Sequence, residues 1–247
     1  MKCPINQKKR GNLENRIIMK VQLLNYTRNP EETVAQAARL CYSAKTIEQI
    51  KMSTMEEKPD KLIRKIIKLG HYSVLEHVSF TFGIEDISRV TSHQLVRHRI
   101  ASFSQKSQRY VKAGEKENFV IPKSIQDVSD DLPSKYQQLF DNCISFYQEM
   151  VSRGIPAEDA RYILPQAIAT SIIFTANARE LIHFFRMRCC NRAQWEIREL
   201  ALKILKLVQE VAPGIFRDAG PSCLVGPCPE GEMTCGKPWI KEKNNQN

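Results

Sequence analysis

The order of apolar and polar positions divides the chain into short elements that switch between two periods. Val21, Leu23 and Tyr26 open the patterned region as a short strand. Asn29-Pro30-Glu31-Glu32 then reads as a helix start: a capping amide, Pro in the first turn, and carboxylates at the positive end of the dipole. Val34, Ala37, Ala38 and Cys41 supply that helix's inner face. A second helix opens at Pro59-Asp60, with Leu62, Ile63, Ile66, Ile67 and Leu69 recurring at helical spacing, and is closed by Gly70 as a left-handed cap. Val78 to Ile84 alternates strictly with period two and is the clearest strand. Ile87, Val90, Gln94 and Arg97 follow at three- and four-residue intervals, which predicts a helix with Gln94 and Arg97 on one side of its polar end.

Arg97 to Tyr110 comes next, dense in hydrogen-bond donors with little to bury, and leads toward a strand near Tyr110-Val111. If its second half is extended, Gln105, Ser107 and Arg109 point the same way. Gly114 to Pro122 is a turn with an apolar edge. Tyr136, Phe140, Cys143, Tyr147 and Met150 trace a long helix ending at Gly154. Pro156 to Asp159 starts another, which carries Arg161 and is bent or ended by Pro165. Ala167 to Phe174 is apolar enough for a buried strand or a buried helix, and its periodicity does not choose. Asn177 caps a helix through Leu181, Phe184 and Phe185. The last strong helix runs from Trp195 to Val211, with Ile197, Ala201, Ile204, Val208 and Val211 inward. No strand–helix–strand unit repeats, so the fold class is α/β of the α+β type, helix-rich with a mostly antiparallel sheet. Residues 1–18 form a polar extension, 19–220 a single domain, and 221–247 a tail rich in Cys, Gly and Pro.

Charge changes this picture more than composition does. The 247 residues carry a formal net charge of +10, which favours anionic partners. The clearest basic run is only Lys8-Lys9-Arg10, and elsewhere Arg is threaded among apolar residues, a pattern suited to individual phosphate contacts. No stretch reaches the roughly 18 consecutive apolar residues of a membrane span. The first sixteen residues lack the apolar core of a secretory signal, so the expectation is cytoplasmic, with the eight Cys as thiols.

The candidate chemistry narrows further. There is no Gly-x-Gly-x-x-Gly after a strand, and Gly236-Lys237-Pro238 lacks a P-loop's hydroxyl. His71 and His77, six apart, do not share a helical face well enough for zinc. Cys223, Cys228 and Cys235 are loosely spaced, with free thiols preferred over a structural metal; no metal is expected. Ser107 lacks a Gly-x-Ser-x-Gly context and an acidic orienter, so it does not read as a hydrolase nucleophile. Arg161, Arg179, Arg186, Arg188 and Arg192 form a second Arg concentration, and two such sets predict convergence on a shared anion. The alternative is a nucleic-acid-binding protein that uses the basic stretch as a phosphate surface. It leaves the second Arg set without a role.

Arg97-His98-Arg99, seven residues, then Ser107-Gln108-Arg109-Tyr110 resembles the signature of the flavin-dependent thymidylate synthases. His71 to Phe82, Arg161-Tyr162-Ile163-Leu164-Pro165, and Asn177-Ala178-Arg179-Glu180-Leu181 running on to Arg188 extend the likeness over roughly 19–219. Ser104 stands where Asn is common, and Lys106 adds a charge; the signature is otherwise intact. The resemblance implies reductive methylation of dUMP to dTMP. Methylenetetrahydrofolate would be the carbon donor, NADPH the reductant and FAD the hydride carrier. It implies a homotetramer with active sites shared between subunits. It assigns Gln94, Arg97, Gln105, Lys106, Ser107, Gln108, Arg109, Arg161 and Arg188 to dUMP. Arg188 is also its catalytic candidate, favouring ionisation at uracil N3. Ser73, Arg97, His98, Arg99, Gln105, Asn177, Arg179 and His183 are its FAD contacts.

Overall fold

The computed structural model describes residues 18–56, 59–114, 118–128 and 131–239. Most of the predicted N-terminal extension and the last eight residues of the tail lie outside them. Among the described residues the chain runs β1 (Lys20–Tyr26), α1 (Pro30–Leu40), α2 (Ile47–Glu56), α3 (Asp60–Lys68), a 3₁₀ turn (Tyr72–His77), β2 (Ser79–Ser88), α4 (Arg89–Leu95) and β3 (Ala101–Gln105). It continues through α5 (Lys123–Gln126), α6 (Leu132–Ser152), α7 (Ala157–Ala160), β4 (Ala169–Asn177), α8 (Ala178–Arg188), α9 (Trp195–Val211) and α10 (Pro213–Phe216).

The four strands form one sheet in the order β1-β2-β4-β3, antiparallel throughout, in agreement with the predicted class. One face is aromatic. Phe80, Phe82 and Phe174 are fully buried there and meet Phe184 and Phe185 of α8 and Phe216 of α10. Burial of several such side chains, each worth about 1.5–3 kcal/mol, makes this the main stabilising layer. On β4 the alternation of buried Thr170, Ile172, Phe174 and Ala176 settles as strand what periodicity had left open.

Three expectations change. Ile87 belongs to β2, because a bulge between Ile84 and Ile87, with Asp86 at φ 60°, resets the alternation and turns both Ile87 and Ser88 inward. The helix therefore starts two residues later, capped by Ser88 Oγ accepting from the Thr91 N–H, and ends at Leu95, so Arg97 lies in the turn beyond it. The strand expected near Tyr110 sits instead at Ala101–Gln105, inside the stretch read as having little to bury; Phe103 stacks on Phe174 at 5.3 Å. Tyr110 and Val111 are exposed turn residues. Cys41 is exposed rather than inward, and the core face of α1 is carried by Val34 and Ala38, with Ala37 packed beside them. Helix α2 was not anticipated. Its start is a reciprocal cap in which Thr46 N donates to Gln49 Oε1 and Gln49 N donates to Thr46 Oγ1.

The tail folds back over the domain as far as it is described. Trp239 packs against the core, and Asn191 Nδ2 donates to the Lys237 carbonyl at 3.1 Å. Cys223, Cys228 and Cys235 are free thiols, and they form no ligand group among the described residues.

Candidate active site

β3 determines where the basic stretch goes. It runs antiparallel to β4, with Ala101 opposite Ala176 and Gln105 opposite Ile172. From Ile100 to Lys106 an extended chain covers about 20 Å at roughly 3.4 Å per residue. The two halves of the stretch are thereby delivered to opposite ends of the sheet.

At the first end β4 gives way to α8. Asn177 is the N-cap and its Oδ1 accepts from the Glu180 N–H at 2.9 Å. A cavity of about 540 Å³ opens there, lined by Tyr72, Glu76, Ile100, Asn177, Arg179, Glu180, Ile182, His183 and Arg186. Arg179 is exposed and ion-paired with Glu76; it also reaches a neighbouring hollow of about 350 Å³ lined by His71 and Ser73. Arg186 donates to the Tyr72 hydroxyl and lies over its ring, 5.1 Å from the centroid. His183, Arg97 and Arg99 are exposed, and Gln94 is half-buried on α4.

His98, between the two exposed arginines, is buried. Its Nδ1 lies 3.1 Å from Glu180 Oε1, its Nε2 accepts from Arg188 Nε at 3.1 Å, and its ring meets Phe184 edge-on at 4.9 Å. Burial, Arg188 and His183 together lower its pKa to about 4, so the imidazole is neutral at neutral pH. The contact with Glu180 is therefore a hydrogen bond to a carboxylate rather than an ion pair. Burial raises the Glu180 pKa, against the pull of His183, and lowers that of Arg188. His98, Glu180 and His183 present ligand atoms within 4.8 Å of one another, a spacing a small cation could use. Arg188, in hydrogen-bond contact with His98, sets a positive charge against that use. Cys189 follows Arg188 but is fully buried, and burial pushes its thiol up to about 12, so it is no thiolate nucleophile.

At the other end lie the trailing residues. Gln105 Nε2 donates to Ser92 Oγ and Thr170 Oγ1, at 3.0 and 3.3 Å. Lys106, Ser107 and Gln108 line a small crevice against Ile168, Ala169 and Thr170, and Ser107 Oγ accepts from the Arg109 N–H. Glu158 joins the two guanidinium groups of this end: its carboxylate pairs with Arg109 Nε at 2.9 Å, and its carbonyl accepts from Arg161 Nε at 3.0 Å. Burial, and then Arg161, lower the pKa of Arg89. Arg89 is a further cation of this cluster that the sequence pattern did not single out, because at the first position of α4 it reads as an ordinary helix residue. Within one chain Arg161 is held by the Glu158 carbonyl and Arg188 by His98, so the two guanidinium groups have different partners.

This is an α+β domain whose guanidinium groups are the kind of donors that suit phosphate oxygens. The family profile described as "Thymidylate synthase complementing protein" matches residues 22–214. Relatives that carry the name flavin-dependent thymidylate synthase include the following three. That of Geobacter sulfurreducens is 56% identical over 224 residues, covering 89% of this chain and 94% of its own. That of Clostridium tetani is 48% identical over 235 residues, again covering 89% and 94%. That of Pyrococcus furiosus is 46% identical over 228 residues, covering 87% and 91%. The chain belongs to the flavin-dependent thymidylate synthase family.

Proposed function

We propose that this protein makes dTMP from dUMP by reductive methylation, with methylenetetrahydrofolate as carbon donor, NADPH as reductant and FAD between them. The observation that carries the site assignment is the sorting of the signature stretch by β3. Arg97, His98 and Arg99 lie with Arg188 beside the α8 cavity, and Gln105 to Arg109 lie with Arg161 at the other end.

The cavity suits a flavin nucleotide. Arg179, Asn177 and His183 stand at the first turns of α8, where the helix dipole favours phosphate, and Tyr72, Ile100 and Ile182 offer flat or apolar surface to a ring system. When bound, the flavin supplies the hydride chemistry. Ser73 contributes from the adjoining hollow. His98, with both ring nitrogens already engaged, acts there through its packing and through Arg188.

The nucleotide is held by the other cluster. Arg109 and Arg161, aligned by Glu158, take its phosphate, with Lys106, Ser107 and Gln108 around it and Gln94 and Gln105 toward the base, and Arg97 joins them from the first end of a second chain. Arg188 stabilises the negative charge that develops when uracil loses its N3 proton, and C5 becomes the more nucleophilic for it. Arg161 and Arg188 are engaged by different partners within one chain, which supports a complete site that takes one end from each of two chains. A homotetramer provides such pairs. The exposed Leu132, Leu139 and Phe146, seven residues apart on one side of α6, and the 86% exposed Tyr162 supply apolar surface for the assembly. No helix of the described residues is long and apolar enough to cross a membrane; the proposed location is the cytoplasm.

The test is direct. Purified protein should show flavin bands in the visible spectrum, or gain them on addition of FAD. It should then form dTMP from dUMP, methylenetetrahydrofolate and NADPH. Absence of both flavin uptake and dTMP would refute the reading. The nucleic-acid alternative is not favoured, because the cations form two clusters with dedicated partners rather than one continuous stripe.

A further inference from the structure

We propose that Glu180 is a positioning residue for the reaction: through the ring of His98 it fixes the guanidinium of Arg188 while leaving its charge intact. The inference rests on the role given above to Arg188 and extends it to a carboxylate that the signature does not assign.

Hydrogen-bond valence alone sets the proton positions. A guanidinium has donors and no acceptor, so His98 Nε2, 3.1 Å from Arg188 Nε, carries a lone pair and no proton. The imidazole proton is then on Nδ1, and it is donated to Glu180 Oε1 at 3.1 Å. The chain of donors runs from Arg188 to His98 to Glu180. Each side chain is fixed from another direction as well. Glu180 is 8% exposed on the first turn of α8, and its own N–H is tied to the Asn177 cap. His98 is 4% exposed and wedged against Phe184. In a capping box a carboxylate at the Glu180 position would turn back to the N-terminal cap. Here it turns to the imidazole.

The spacer matters chemically. A carboxylate placed directly on Arg188 would orient it but would cancel much of its field at the substrate. A neutral imidazole accepts the same hydrogen bond, transmits the orientation set by Glu180, and keeps the negative charge one ring farther away. The bond also uses Nε, the inner nitrogen, so the fork of terminal nitrogens is left for a ligand. The arrangement resembles the way a buried carboxylate sets the tautomer of a histidine that must present one particular nitrogen.

The experiment compares Glu180→Met, which keeps length and removes the acceptor, with Glu180→Gln, which keeps an acceptor oxygen. Both are assayed as flavin-loaded enzyme. At saturating flavin, Glu180→Met should lower kcat at least tenfold, the scale of a misplaced catalytic group, with far less change in KM for dUMP. Glu180→Gln should recover most of that loss. In an Arg188→Ala background, Glu180→Met should add almost nothing, because the two act through one group. Additive losses, or equal losses in the Met and Gln variants, would overturn the proposal. If Arg188→Ala alone leaves turnover unchanged, it is the role of Arg188 that fails, and the two failures are told apart. Nitrogen-15 NMR of the wild-type holoenzyme gives a reading that does not depend on any variant folding. A pyrrole-type shift at His98 Nδ1 and a pyridine-type shift at Nε2 are expected, and the reverse tautomer would sink the idea.

Discussion

Arg188, His98 and Ser107 carry the sharpest single-residue consequences. Arg188→Ala should leave the flavin spectrum in place and reduce kcat about a hundredfold or more, the usual cost of deleting one donor aimed at developing charge. Wild-type-like dTMP formation in that variant would remove its assigned role. Ser107→Ala should raise KM for dUMP by up to about tenfold, since one neutral hydrogen bond is worth about 0.5–1.5 kcal/mol. Total loss of turnover at saturating dUMP would instead restore a nucleophilic part for the serine. His98 predicts a pH effect on stability. Its folded pKa, about 4, lies below the ordinary 6.5, so the unfolded chain binds the extra proton first. The corresponding stability is present in full above pH 6.5 and is lost as the pH falls from 6.5 through 4, by about 3 kcal/mol if His98 acted alone. Glu180, whose carboxyl is raised by burial, opposes this on the acid side, so the measured fall should be smaller but of the same sign. Thermal unfolding scanned between pH 7 and 4 checks it, and a rising midpoint over that interval would contradict it. The signature named Arg188 and His98 in advance, but not Glu180. In the sequence that residue is only the third position after a cap, where a carboxylate is expected for helix reasons alone.

The elements show why some of the fold could be read from the chain and some could not. α9 and α8 were legible because their apolar positions repeat at helical spacing and a side-chain cap marks their start. β3 was obscured by its chemistry: Ser102, Gln105 and the flanking Arg and Lys masked a real alternation with Ala101 and Phe103. The Ile87 misplacement has the same root as any bulge, because one added residue shifts every later side chain to the other face. Another element-scale contact was invisible in sequence. Glu196, on the first turn of α9 and only 3% exposed, accepts from the Ser88 N–H at 2.6 Å and from the Ser88 hydroxyl. It ties α9 to the junction where β2 ends and α4 is capped. Glu196→Ala should leave a buried N–H without its partner and cost about 1–3 kcal/mol, seen as a lower denaturant midpoint at unchanged slope. Because α4 leads directly to Arg97 and His98, the same variant should also lose turnover. An unaltered midpoint would show that this carboxylate is not what fixes the junction.

The molecule as a whole is organised by the length of one strand. Sequence alone could assemble the list of basic residues and predict that Arg161 and Arg188 serve one ligand, but not which subunit supplies each, because spacing along a chain says nothing about which end of a sheet each reaches. In the arrangement proposed above, the two clusters lie toward the two ends of β3 and converge through a second chain. This gives a test that no single-site variant supplies. Arg161→Ala and Arg188→Ala proteins should each be nearly inactive when pure. If the subunits are mixed under conditions that allow exchange, some sites receive Arg161 from one parent and Arg188 from the other. Random mixing in equal amounts restores about a quarter of the sites, each with an intact set of side chains. Activity of the mixture should therefore rise to roughly a quarter of wild type, with a KM for dUMP close to wild type in the recovered fraction. Mixtures that stay as inactive as their parents, despite demonstrated exchange, would mean that one chain supplies both arginines to the same nucleotide. The separation along β3 would then have to close within a single subunit when dUMP binds.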